Sequence, residues 1–271
     1  MKFTVLGGSG FIGSEVIKKL KSDNNTIYSP KRNDPLIFKD ELGTVIYCAG
    51  NGDCLNAPFA VQEANVELLA GILTHGRFRR LIYLSSTRIY MNSKFSHENS
   101  DVSISNNDGR KLFNLTKMVG EELCLKSNRD CVIIRPSNVY GKAFNSNLFL
   151  PSITRDAIAK GLVNMYVTPE YSKDYVSVSD VVDAILFLSQ NENKHEIYNV
   201  ASGHNTTAGE IALLLKGKTN CDIVWHKCSQ NEYFPITNIR RLQSEMNFVP
   251  KNVLEDMGEM IDDFQNILQV N

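Results

Sequence analysis

The chain has almost no net charge: 29 lysines and arginines face 30 aspartates and glutamates. No whole-molecule field therefore draws it to nucleic acid or to an anionic membrane, and neither partner is expected. Long apolar runs are missing as well. The N-terminus, MKFTVLGGSG, turns glycine-rich after four apolar or β-prone residues, too soon for a secretory leader. No later run nears the roughly 20 residues of a membrane span, and a cytoplasmic protein is expected. None of the five histidines falls in an H-x-x-x-H or other ligand spacing, so no metal site is expected. Cys48, Cys54, Cys124, Cys131, Cys221 and Cys228 form no C-x-x-C pair. A chain of 271 residues needs no disulfide staples, so all six read as reduced packing residues. Internal repeats and low-complexity stretches are absent too.

What the chain does have is alternation. Short β-prone runs (FTVL, TIYS, TVIYCA, RLIYLSS, DCVIIRP) are interleaved with helical patches (SEVIKKLK, VELLAGIL, MVGEELCLK). That order is the pattern of βαβ units, with a parallel sheet covered by helices on both faces. Between the first strand and the first helix, VLGGSGFIGSEVIKKL places Gly7, Gly10 and Gly13. Each glycine has a mechanical use in holding a dinucleotide: a tight turn, room for the pyrophosphate to approach backbone N–H groups, and close packing of helix on strand. Residues 1–140 therefore read as an α/β, doubly wound parallel sheet of the Rossmann type. After RPSNVYG the texture loosens, and residues 141–271 read mainly as a smaller mixed α/β substrate-binding lid. Segments near 174–200, through KDYVSVSD or IYNVAS, are expected to return to the sheet.

GGSGFIG, TVIYCAG, ANVELLAGIL, LIYLSSTRIY, RPSNVYG, KDYVSVSDVVDAI and YNVAS occur in one order along nearly the whole chain. In that order they resemble the extended short-chain dehydrogenase/reductases, a family of NAD(P)-dependent nucleotide-sugar epimerases, dehydratases and reductases. The resemblance implies a dinucleotide on Gly7, Gly10, Phe11, Ile12 and Gly13, with Ala49, Gly50, Ser85, Lys117 and Pro136 also against it. It also implies a serine that hydrogen-bonds the reacting carbonyl. Four residues before Tyr90 that serine is Ser86, with Ser85 the second choice.

The cofactor's identity is read from the end of the second strand, where NAD enzymes commonly place an acid on the ribose. Here NTIYSPKRND has no acid after Tyr28, while Lys31 and Arg32 stand close by. NADP(H) is the preferred reading, with NAD(H) open.

The family's catalytic tyrosine falls at Phe113, four residues before Lys117 in LFNLTKMVGEEL. Helical spacing puts both on one face, so Lys117 suits the ammonium that tunes such a tyrosine and binds the nicotinamide ribose. Phe113 cannot donate a proton. Three accounts stand: a substitution that traps substrate, a natural loss with another donor such as Tyr90, or a silent protein that binds NADP(H) or a nucleotide sugar.

A 4,6-dehydratase of this kind would carry Asp-Glu where Thr87 and Arg88 stand, which argues against dehydration. The remaining readings are reduction of a nucleotide-linked 4-keto-6-deoxy sugar for surface polysaccharide and, alternatively, 4-epimerisation of a nucleotide sugar. For the nucleotide-diphosphate sugar substrate the resemblance implies Ser86, Tyr90, Asn138, Asn147 and Leu148. It also implies a homodimer formed through two helices. Asp174 and Asp180 read as bracing groups, with Asp180 placed as an N-cap of VVDAILFL.

Overall fold

The computed structural model describes residues 1–227 and 232–270, so Cys228 lies outside the described residues. The first half runs β1 (Lys2–Leu6), α1 (Phe11–Ser22), β2 (Thr26–Tyr28), β3 (Glu41–Tyr47), α2 (Pro58–Gln62), α3 (Leu68–His75), β4 (Arg77–Leu84), α4 (Lys111–Lys126) and β5 (Cys131–Pro136). The second half runs β6 (Asn138–Tyr140), α5 (Phe149–Lys160), β7 (Leu162–Met165), β8 (Ser172–Ser177), α6 (Val178–Gln190), β9 (Ile197–Val200), β10 (Asn205–Thr207), α7 (Ala208–Thr219), β11 (Asp222–Trp225), α8 (Arg240–Glu245) and α9 (Val253–Val270).

The central sheet has the order β2-β1-β3-β4-β5-β9, and every pairing in it is parallel. Apart from the half-exposed edge strand β2, its strands carry buried residues on both faces, and the period of two sorts their side chains between two cores. Phe3, Val5, Ile46, Ile82 and Ile134 pack with Val16 and Leu20 of α1 and with Val181, Ile185 and Leu188 of α6. Leu6, Val45, Tyr47, Leu81 and Ile133 point the other way, onto Leu69 and Ile72 of α3 and Cys124 of α4. Each fully buried aliphatic side chain contributes about 1.5–3 kcal/mol, which is why the apolar runs rather than the polar loops set this layer.

IYNV, as β9, joins the central sheet beside β5. KDYVS, within β8, does not: it lies between β10 and β6 in a separate three-stranded sheet. A third core, with Leu150, Ile153, Met165, Ile211, Leu215, Met257 and Phe264, holds α5, α7 and α9 together. Asp180 is not the N-cap of α6. That role is taken by Ser177, whose side chain accepts from the Ser179 N–H, while Asp180 sits in the first turn and accepts from the Lys251 N–H at 2.8 Å.

Helix α4 is fixed to the sheet by charge as well as packing. Arg135 of β5 and Glu121 of α4, both nearly inaccessible, form a bidentate pair at 2.9 and 2.5 Å. No helix among the described residues is long and apolar enough to cross a membrane.

Candidate active site

Parallel strands deliver all their C-terminal ends to one edge of the sheet. The chain leaves β1 for β2 on one side and crosses to β3 on the other, and a crevice opens where the directions diverge. Gly7 turns there with φ +77°, and a Cβ on it would stand 2.7 Å from the Ala49 nitrogen. A Cβ on Gly13 would stand 2.3 Å from the Gly7 oxygen, so the helix can approach the turn only with glycine at that place. Gly10 caps α1 without any side-chain hydrogen bond, and no acidic residue occupies the first turn, which Phe11 and Ile12 open. Uncapped N–H groups and the positive end of the helix favour an anion at this point.

The opposite wall is made by Ala49 and Gly50 after β3. Asn65, buried in a π turn (Glu63–Glu67) between α2 and α3, clamps that wall. Its side chain accepts from the Asn51 N–H at 3.1 Å and donates to the Asn51 carbonyl and to Thr116 Oγ1 of α4, each at 3.0 Å. Ser85 is buried, and its Oγ lacks a hydrogen-bond partner among the described residues. A glycine cradle, an uncapped helix and an orphaned hydroxyl together fit a dinucleotide.

At the end of β2 the expected cations are exposed: Lys31 lies on the surface and Arg32 is ion-paired with Glu63. Pro136 ends β5, buried in register with Val200 of β9.

Lys117 is 5% exposed and donates through Nζ to the Leu84 carbonyl at 2.7 Å. Burial pushes its pKa down to about 8, against the opposing pull of Cys48 and Glu121. Its Nζ lies 5.7 Å from the centroid of the Phe113 ring. Ser86 and Phe113 line one cavity of about 90 Å³, together with Arg88, Arg110, Asn138 and Lys173. Ser86 Oγ accepts from the Arg88 N–H at 3.1 Å, capping a short 3₁₀ turn, and its proton stays available for a carbonyl oxygen. Asn138 and Lys173 also line an adjoining cleft of about 760 Å³, with Asn147 and Leu148 on its wall.

A model of the NAD dependent epimerase/dehydratase family matches residues 3–201. The chain belongs to that family. Known relatives and neighbours of it include nucleotide-sugar epimerases, dehydratases and reductases. A probable GDP-L-fucose synthase from Oryza sativa subsp. japonica is 26% identical over 251 residues, covering 79% of this chain and 76% of its own length. A GDP-6-deoxy-D-talose 4-dehydrogenase from Aggregatibacter actinomycetemcomitans is 23% identical over 257 residues, covering 86% and 84%. MoeE5, solved with UDP-glucose and NAD, superposes with a TM-score of 0.84 at 17% identity, over 99% of this chain and 100% of its own. At that identity the likeness speaks for the fold. Other neighbours were solved with NAD or with NADPH.

In the candidate site of this epimerase/dehydratase-family chain, the sequence-predicted residues do not all meet. Tyr90 is 1% exposed and does not line the Phe113 cavity. Its hydroxyl donates to Asn199 Oδ1 at 2.9 Å and accepts from Arg135 Nη1 at 2.5 Å, and burial pushes its pKa up to about 12. A hydroxyl so engaged, and outside the cavity, is not placed to give a proton to a group held beside Phe113.

The site also holds residues to which the sequence reading gave no part in it. Arg88 bonds Asp108 at 2.7 Å and Glu232 at 3.0 Å, and Glu232 accepts from the Tyr171 hydroxyl at 2.9 Å. Burial would raise the Glu232 carboxyl, but Arg88, Tyr171 and Lys173 together hold its pKa below the usual range. Arg110 stacks 4.6 Å from the Phe113 ring centroid. Lys173 stood beside Asp174 in a motif read for the aspartate alone. Asp174 itself accepts from Ser137 Oγ and from the Ser202 and Gly203 N–H groups, bracing loops behind the site.

Proposed function

We propose that this protein is an NADP(H)-preferring oxidoreductase that reduces a nucleotide-linked 4-keto-6-deoxy sugar. One observation carries the reading: Ser86 and Phe113 line a small cavity that meets, at Asn138 and Lys173, a cleft large enough for a nucleotide diphosphate. A bound nicotinamide dinucleotide supplies or accepts hydride. The chain's residues do the rest. Gly7, Gly10 and Gly13 seat the pyrophosphate, Lys117 holds the nicotinamide ribose, and Lys31 with Arg32 accommodates a 2′-phosphate. Ser86 Oγ orients and polarises the carbonyl oxygen. The 4-dehydrogenase named among the relatives supports chemistry at C4, and Thr87-Arg88 in place of an acid-base pair supports reduction over dehydration.

Leu115 and Val119, 43% and 45% exposed on α4, and Phe59, 83% exposed on α2, support a homodimer. Phe113 itself favours a second reading, in which the protein binds both ligands and is chemically silent.

Turnover separates the two. NADPH absorbance is followed with GDP- and dTDP-linked 4-keto-6-deoxyhexoses, using the protein and its Phe113→Tyr variant. The proposal expects oxidation by the Phe113→Tyr variant at a rate about tenfold or more above that of the protein, since a positioned acid contributes about 10²–10⁴. Binding of both ligands without oxidation by either protein establishes the silent reading.

A further inference from the structure

Phe113 leaves a reductase without its usual proton source, and the cavity around it presents three other titratable side chains: Arg88, Arg110 and Lys173. The two arginines keep their protons at any working pH. A lysine can release one. Lys117, the other nearby amine, gives its Nζ to Leu84 and is not among the residues lining this cavity.

Lys173 enters from β8, across the cavity from α4, with Nζ 4.9 Å from the Phe234 ring centroid and 5.1 Å from that of Tyr171. Those rings flank the ammonium, and the side chain is half-buried between them. The charged groups around it are Glu232, Arg88 and Arg110. Burial lowers its pKa, the two arginines lower it further, and Glu232 opposes them.

We infer that Lys173 is the catalytic acid of this site, delivering its Nζ proton to the carbonyl oxygen where a tyrosine hydroxyl would otherwise do so. The inference rests on the keto-sugar reading above. In the step, a reduced nicotinamide dinucleotide is the two-electron reductant. The carbonyl π bond and one C–H bond of the reduced nicotinamide break, a C–H bond forms at the sugar carbon with that hydride, and an O–H bond forms with the proton released from Nζ. The neutral amine left behind is recharged by water through the larger cleft, which Lys173 also lines.

The full-length protein is compared with Lys173→Met, Lys173→Arg, Phe113→Tyr and the Phe113→Tyr/Lys173→Met double variant. NADPH is used with the same two keto-sugars, and kcat and KM are read separately. Loss of the acid should lower kcat by about 100-fold or more in both single lysine variants. Arginine keeps the charge but cannot give up a proton at working pH, so Lys173→Arg should leave KM nearly unchanged. With tyrosine at position 113, Lys173→Met should cost less than about threefold, because the phenol supplies the proton.

A readout free of turnover is the pH dependence of acetic anhydride labelling, followed residue by residue by mass spectrometry. Lys173 should become reactive at lower pH than the exposed Lys18 and Lys94. Restored kcat in Lys173→Arg, a loss confined to KM, equal losses in both backgrounds, or labelling in step with the exposed lysines each overturns the proposal. Turnover by Phe113→Tyr alone sinks the role of Lys173 and leaves the keto-sugar reading standing. Turnover by neither protein removes both.

Discussion

Lys117 should be a measurable burden on the fold. Burial lowers its pKa from 10.5 to about 8, and the Leu84 carbonyl is the hydrogen-bond acceptor of its ammonium. At about 1.4 kcal/mol per pH unit, the difference is a cost of about 3 kcal/mol near neutral pH. The sign follows from which state loses the proton first. Below pH 8 both folded and unfolded chains are protonated and the cost is complete. Between pH 8 and 10.5 the folded chain releases the proton first, so stability rises with pH. Above 10.5 the cost has gone.

Replacing Lys117 by Met keeps the stem and removes the charge, but leaves Leu84 without its donor, a loss of about 1 kcal/mol. The variant should therefore be more stable than the parent by about 2 kcal/mol near pH 7, and less stable by about 1 kcal/mol above pH 10.5. Urea unfolding of both proteins across that range measures the difference, in which titrations common to both cancel. The same variant should bind a nicotinamide dinucleotide poorly, the exchange of stability for function seen when an ionisable group is buried at a working site. A stability difference that stays constant with pH would refute the reasoning, because it would show that Lys117 titrates alike in both states.

Two further outcomes are expected. Arg32→Ala should weaken NADPH by about tenfold and leave NADH unchanged in fluorescence titrations, since a basic residue after the second strand serves the 2′-phosphate alone; an equal response to both would make Arg32, now paired with Glu63, part of a solvated turn. Glu121→Leu leaves Arg135 charged and buried and should cost about 3–5 kcal/mol in urea unfolding, and adding Arg135→Met should recover most of the loss.

How much of this could be read in advance depended on distance along the chain. The strands of the parallel sheet announced themselves because both of their faces are buried, so CVII and LIYL are continuous apolar or aromatic runs. The glycine turn was equally plain, since Gly10 and Gly13 answer to contacts with the turn at Gly7 itself, and only Gly7 also meets a distant segment, at Ala49. The small sheet was not legible: β6 and β10 have three residues each, and KDYVS has the same texture whether it joins a large sheet or a small one. VSVSD offers two serines and an aspartate as possible caps, and which is used depends on where the chain turns off β8, a tertiary matter. The same holds for Arg88, Arg110, Lys173 and Glu232. They come from a 3₁₀ turn, a helix start, a strand and a loop, and no local pattern marks them as neighbours.

The amide of Asn65 grips the loop after β3 with one hand and α4 with the other. Two sides of a crevice joined by a single buried rivet cannot drift independently. A ligand that firms up residues 50 and 51 must also steady the helix turn from which position 113 projects, so occupancy of one compartment should tighten the other without any hinge or moving flap.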